Sequence, residues 1–154
     1  MPESLPGVLV LCTGNSARSI LGEAILAVRG AGRLRAYSAG SKPKGVPHPA
    51  ALRLLTRKGI ATEGFRSKSW NEFTGPDAPP IDLAITVCGN ADQVCPMYPG
   101  QLNRHHWPFD DPAHATGSEE EIMTVFRRVR DEIKAVFTAY ADGRRDQMKH
   151  QPTV

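Results

Sequence analysis

Eight consecutive residues, with cysteine first and arginine and serine last, open the chemical reading: Cys12-Thr13-Gly14-Asn15-Ser16-Ala17-Arg18-Ser19. Before them runs Gly7 to Leu11 (GVLVL), a short apolar, β-branched stretch that predicts a buried strand. After them, Ile20, Leu21, Ala24, Ile25 and Val28 recur at helical spacing, and Gly30 and Gly32 predict the stop. A strand that ends in a glycine-containing turn and starts a helix turns several backbone N–H groups into one concavity, and the helix dipole adds positive charge there. The backbone of Thr13, Gly14, Asn15, Ser16, Ala17, Arg18 and Ser19 would cradle a tetrahedral oxyanion, and the Arg18 guanidinium offers a planar fork to two of its oxygens. Cys12 would lie in the same electropositive pocket, which favours the thiolate, and Ser19 can donate to that sulfur. The plain alternative is a buried strand-end cysteine and a solvated arginine. A Walker-type loop is excluded, because no Gly-Lys-Ser/Thr follows.

Two further cysteines need a reading. Cys88 follows the apolar run Leu83–Val87, and Cys95 lies seven residues on in a polar, Gly- and Pro-containing loop. One thiol in an anion pocket and two close together in a loop meet the requirements of a thiol–disulfide relay. Zinc is a competing reading for Cys88, Cys95, His105 and His106. Structural zinc sites usually bring tighter Cys-x2-4-Cys or His-x3-5-His pairs than these. Cys88 also reads as a small buried hydrophobe. Asp110-Asp111-Pro112 holds carboxyls able to protonate a leaving oxygen, and it is equally good turn chemistry. Trp107 and Phe109 read as core, and His105 and His106 are not distinguishable from structural polar residues.

Elements must position these groups. Leu34–Ser38 predicts a second strand stopped by Ala39-Gly40, Ser41–Pro49 a loop, and Ala50–Lys58 a second helix closed by Gly59. Thr62–Pro80 is irregular, Leu83–Val87 predicts a third buried strand, and His105–Phe109 a short fourth. Ser118-Glu-Glu-Glu121 is a capping box for the longest helix, whose stripe is Ile122, Val125, Phe126, Val129, Ile133, Val136 and Phe137. Apolar strands alternating with helices argue for an open parallel sheet with helices on both faces and ligands at the carboxyl ends of its strands. The 154 residues suit one domain over 1–141 and a polar, basic tail over 142–154. A net charge of +3 is too small to argue for nucleic acid. No stretch approaches a membrane span and no basic n-region precedes the first apolar run, so a cytoplasmic protein is expected. Three cysteines in a reducing compartment argue against a static disulfide framework.

VLVLCTGNSARS resembles the active-site loop of low-molecular-weight protein tyrosine phosphatases and of the arsenate reductases that share their fold. The similarity continues through YSAG (Tyr37–Gly40), TVCGNADQVCP (Thr86–Pro96) and HWPFDDPA (His106–Ala113), and so covers nearly the whole chain. The last two motifs resemble the thioredoxin-coupled arsenate reductase branch. The resemblance implies a three-layer α/β fold around a four-stranded parallel sheet. It implies Cys12 as the nucleophile on arsenic, Arg18 as oxyanion grip and Asp111 as acid. It makes Cys88 the thiol that expels arsenite and Cys95 the one that hands the disulfide to an external reductant. Two departures stand out. Ala17 occupies a position that is cysteine in many such reductases. Some relatives hold potassium beside the loop with an asparagine, a glutamate and an acidic residue; Asn15 and Glu23 match, and Lys68 stands at the acidic position. Its ammonium either replaces the ion's charge beside Glu23 or is an ordinary solvated lysine.

Arsenate reduction for arsenic detoxification is therefore the first expectation, with no tightly bound cofactor and no metal. Thioredoxin, or glutaredoxin with glutathione, is the external reductant, with mycothiol also open. The partners expected are arsenate or a phosphate-like oxyanion and that reductant, acting on a monomer. The alternative is a low-molecular-weight protein tyrosine phosphatase working through a cysteinyl-phosphate, and the third reading is a non-catalytic oxyanion- or arsenite-binding protein. Phosphatases of this type usually carry tyrosines beside the Asp-Pro; Ala113-His114-Ala115 follows here.

Overall fold

The structure, a computed structural model, describes residues 5–87, 103–107 and 109–141. Strand β1 (Gly7–Cys12) is buried at every residue, as its unbroken apolar run requires. It leads through the 13–17 loop into helix α1 (Arg18–Arg29). Strand β2 (Arg35–Gly40) follows, then helix α2 (Pro49–Arg57), a 3₁₀ turn at Trp70–Phe73, and strand β3 (Leu83–Thr86). Strand β4 (Asn103–His106), a 3₁₀ turn at Pro112–His114 and helix α3 (Glu119–Ala141) complete the described elements.

All pairings are parallel and the sheet order is β2-β1-β3-β4, so β1 is an interior strand. Alternation along β1 splits the core in two. Val8, Val10 and Cys12 join Leu83, Ile85 and buried residues of α1, α2 and α3 on one face. Leu9 and Leu11 join Ala39, Ala84, Trp70 and Phe73 on the other. The expectation of helices on both faces is thus met on one side only among the described residues. The second face is covered there by the Trp70–Phe73 turn, whose aromatic pair fills the space a helix would otherwise fill.

Helix α3 is held by the predicted capping box: the Ser118 N–H donates to Glu121 Oε1 at 2.7 Å and the Glu121 N–H to Ser118 Oγ at 3.1 Å. Its stripe packs on α1, where Gly22 leaves room for the Phe137 ring; a Cβ there would come within 2.9 Å of it. Ile122 and Val125 are only half-buried, and Met123, outside the expected stripe, is buried.

Several boundaries differ from those expected. β2 continues through Ala39-Gly40, because Gly40 pairs with Cys12 and the Gly40 N–H donates to the Lys68 carbonyl at 2.9 Å. β4 lies over Asn103–His106 rather than His105–Phe109. Pairing with β3 ends at Thr86↔His106, and Trp107 and Phe109 then anchor through N–H donation to Thr86 and Val87 carbonyls. The irregular 62–80 stretch hides both the 3₁₀ turn and the bridge Gly40↔Ser69. No described helix is long and apolar enough to cross a membrane.

Candidate active site

The 12–18 loop is built by local constraints. Asn15 sits at φ 45°, a left-handed conformation that asparagine tolerates better than most residues. Its backbone N–H thereby donates to Cys12 Sγ at 3.1 Å. Gly40 closes the loop from the side: a Cβ there would meet the Thr13 carbonyl oxygen at 2.5 Å and the Asn15 nitrogen at 2.9 Å. The 41–48 loop then clasps it through N–H donation from Lys42 to Thr13, from Lys44 to Gly14 and from His48 to Ser16 carbonyls.

Cys12 is buried, with 2 % of its surface exposed, and its sulfur lies 2.9 Å from Ser19 Oγ. The surrounding network holds the Ser19 hydroxyl in place. The Lys68 backbone N–H donates to Asn15 Oδ1 at 2.8 Å, which sets the amide orientation. Asn15 Nδ2 then donates to Ser19 Oγ at 2.7 Å and to Ser38 Oγ at 3.0 Å. Ser19 Oγ keeps its own proton free to donate to Cys12 when that sulfur is a thiolate, and Ser38 Oγ donates to Glu23 Oε1 at 2.6 Å. The Asn15 N–H aimed at the sulfur, and a Ser19 hydroxyl able to donate to it, stabilise a thiolate there.

Behind this chain lie Glu23 and Lys68. Lys68 is 8 % exposed and its ammonium donates to the Arg66 carbonyl at 3.0 Å, which settles against a solvated surface lysine. Burial lifts the Glu23 carboxyl above its ordinary range, while the Ser38 hydrogen bond and the charges of Lys68 and Arg66 pull it back. Burial also lowers Lys68, opposed by the charge of Glu23.

At the mouth, Arg18 Nη1 donates to the Phe109 carbonyl at 3.1 Å and Nη2 pairs with Asp111 Oδ2 at 3.2 Å. Asp111 also accepts the Ala113 N–H at 3.0 Å, capping the Pro112–His114 turn. Asp110 faces away, paired with Arg128 at 3.2 Å on the surface. Of the two aspartates, the structure brings Asp111 to the arginine. Trp107 and Phe109 are buried, and the His105 ring stacks on Trp107 at 5.1 Å, so His105 belongs to the packing. Cys88 and Cys95 lie outside the described residues, as does the 142–154 tail. Among the described residues no three His, Cys, Asp or Glu side chains gather as a metal site.

Sequence reasoning passed over Ser38 and His48. Ser38 carries the link from Asn15 to Glu23. His48 caps α2 by accepting the Ala50 N–H at Nδ1 (3.1 Å), and its ring packs 4.6 Å from Phe126. Burial and then Lys44 lower its pKa, and Asp111 acts the other way. The proline after His48 was the available signal, because proline favours the first turn of a helix and marks the preceding residue as the cap.

The sequence matches the low molecular weight phosphotyrosine protein phosphatase family over residues 7–151. The chain belongs to that family. The fold is accordingly an α/β fold of the low-molecular-weight phosphatase type, with a parallel sheet and helices. Within the family it is similar to an arsenate reductase of Bacillus licheniformis, with 39 % identity covering 88 % of this chain and 94 % of that one. It is also similar to a solved arsenate reductase in the phosphate binding state, at TM-score 0.73 and 26 % identity, covering 90 % and 98 % of the two chains. A thioredoxin-dependent arsenate reductase from Corynebacterium glutamicum matches at TM-score 0.62 and 26 % identity, covering 90 % of this chain and 63 % of that one.

Proposed function

We propose that this phosphatase-family protein reduces arsenate to arsenite. The observation that carries the reading is the hydrogen-bond chain that reaches Cys12 Sγ, on the same loop as an arginine whose fork is divided between the Phe109 carbonyl and Asp111. It is supported by curated relatives that are arsenate reductases.

Arsenate enters the cradle of Thr13–Ser19 and draws the Arg18 fork from Asp111 onto two of its oxygens. Asp111, released from Arg18, serves as the acid that protonates the departing oxygen. The Cys12 thiolate forms the sulfur–arsenic bond as water leaves. Cys88 then attacks Cys12 sulfur: a disulfide forms, the sulfur–arsenic pair goes to arsenic, and arsenite departs. Cys95 takes over Cys88, freeing Cys12, and an external dithiol reduces the Cys88–Cys95 bond. Thioredoxin is the reductant this reading favours, with glutaredoxin and glutathione as the alternative, and no tightly bound cofactor enters. Lys68 stands in for a monovalent cation beside Glu23, since it is buried there. Residues 1–141 act as one catalytic domain, built on the three-layer, four-stranded arrangement, in a cytoplasmic monomer.

The test is arsenate-dependent NADPH oxidation with thioredoxin and thioredoxin reductase. Turnover in the wild type and none in Cys12→Ser is expected. Hydrolysis of an aryl phosphate without any arsenate turnover would instead make the protein a phosphatase.

A further inference from the structure

Away from the oxyanion loop, α1, α2 and α3 enclose a groove of about 220 Å³. Its floor is apolar: Ile25, Val28, Leu54, Leu55 and Ile60. Val28 is 54 % exposed, unusual for a large aliphatic residue in this chain. Every charged residue on its rim is a cation: Arg29, Lys58, Arg130 and Lys134. Arg130 is paired with Asp131, whereas among the described residues no carboxylate pairs with Arg29, Lys58 or Lys134.

The sequence carries the same asymmetry on a larger scale. Between Ala24 and Thr62 there are eight lysines and arginines and no aspartate or glutamate. The rest of the chain holds eleven cations against sixteen acids. The charge is therefore segregated, and the basic segment supplies α2, the end of α1 and most of the groove. Solvated cations around the apolar surface that Val28 and Ile60 present favour one kind of visitor.

We propose that this groove docks an acidic amphipathic segment of a partner protein. Leucine-like side chains would seat on Val28 and Ile60, above the buried Ile25, Leu54 and Leu55, and flanking carboxylates would meet Arg29, Lys58 and Lys134. Charge complementarity selects an acidic occupant. The volume lies below the roughly 300–1,000 Å³ of small-molecule pockets, which favours the anchor side chains of a peptide over a buried cofactor. The groove is separate from the thiol chemistry: Val28 lies ten residues along α1 from Arg18, about 15 Å by helical rise. The proposal does not depend on arsenate being the substrate.

The experiment titrates the full chain with a fluorescent synthetic helix carrying leucines at i, i+3, i+4 and i+7 and glutamates between them. Saturable binding is expected, weakened by about tenfold or more in Val28→Asp and in the Lys58→Glu/Lys134→Glu pair. Arsenate turnover and circular dichroism should stay at wild-type values, since these side chains are on the surface. Absence of saturable binding overturns the proposal. So does equal binding of a peptide whose leucines are replaced by serine, which would reduce the effect to bulk charge. Sedimentation with phosphatidylglycerol vesicles, sensitive to the same substitutions and without peptide binding, would assign the face to a membrane and likewise overturn it.

Discussion

At the scale of single residues, the site turns on which atoms are forced to donate. Asp111 and Asp110 are adjacent in sequence and opposite in circumstance: one faces Arg18, the other pairs with Arg128 on the surface. Asp111→Asn should therefore slow the arsenate step by about 10²–10⁴-fold with oxyanion affinity nearly kept, and Asp110→Asn should do little. Single-turnover kinetics on both variants checks this, and the reverse pattern would move the acid by one residue. Lys68→Met tests the charge behind the loop. Burial already holds the Glu23 carboxyl above its ordinary range, and Lys68 is one of the charges restraining it. Without Lys68 the carboxyl rises further and Glu23 takes a proton at higher pH, so the Ser38 hydroxyl loses its ionised acceptor. The acid limb of the pH–rate profile should then move upward in pH. An unmoved profile would disconnect Glu23 from the thiolate. The same raised carboxyl gives a stability sign. Its contribution favours the fold at acid pH and is lost as pH rises through the raised value, more so in Lys68→Met.

At the scale of elements, two small features hold the site in register. Ser118 and Glu121 close the N-terminus of α3 reciprocally, so Ser118→Ala should cost about 1 kcal/mol in a urea melt, with no loss of arsenate affinity. Gly40 at the end of β2 is a different case. Any side chain there strikes the Thr13 carbonyl and the Asn15 nitrogen, so Gly40→Ala should remove most activity while leaving far-ultraviolet circular dichroism unchanged. Activity within twofold of wild type would mean the loop can shift without cost. These elements also mark what the sequence makes legible. Periodicity located β1, α1, α2, β3 and α3, because each buries a regular face. It misplaced β4, where apolar Trp107 and Phe109 look like strand but are anchors beyond the last pair. It missed the Trp70–Phe73 turn, whose burial comes from long-range packing on Leu9 and Leu11 rather than from any local pattern. In the site, Cys12, Arg18 and Ser19 were readable from spacing. Ser38 was not, and Lys68 came into view only through the family resemblance, since they reach the loop from β2 and from the irregular segment through contacts 23 and 53 residues away from Asn15.

At the scale of the whole molecule, the relay is the prediction that separates reductase from phosphatase. After one arsenate turnover, disulfide mapping by mass spectrometry should find Cys88–Cys95 in the wild type and a trapped Cys12–Cys88 bond in Cys95→Ser. Cys88→Ser should fail to release arsenite, and neither change should reduce aryl phosphate hydrolysis by much. Both loop cysteines remaining reduced during sustained turnover would end the three-thiol scheme. The burial of Cys12 has a consequence for life among other thiols. A cysteine with 2 % of its surface exposed should discriminate its attackers by girth. Hydrogen peroxide or iodoacetamide should then modify Cys12 faster, relative to a free cysteine, than a bulky maleimide or glutathione disulfide does; equal relative rates would show that the pocket does not filter by size. Protection of that kind is enforced by shape rather than by low reactivity.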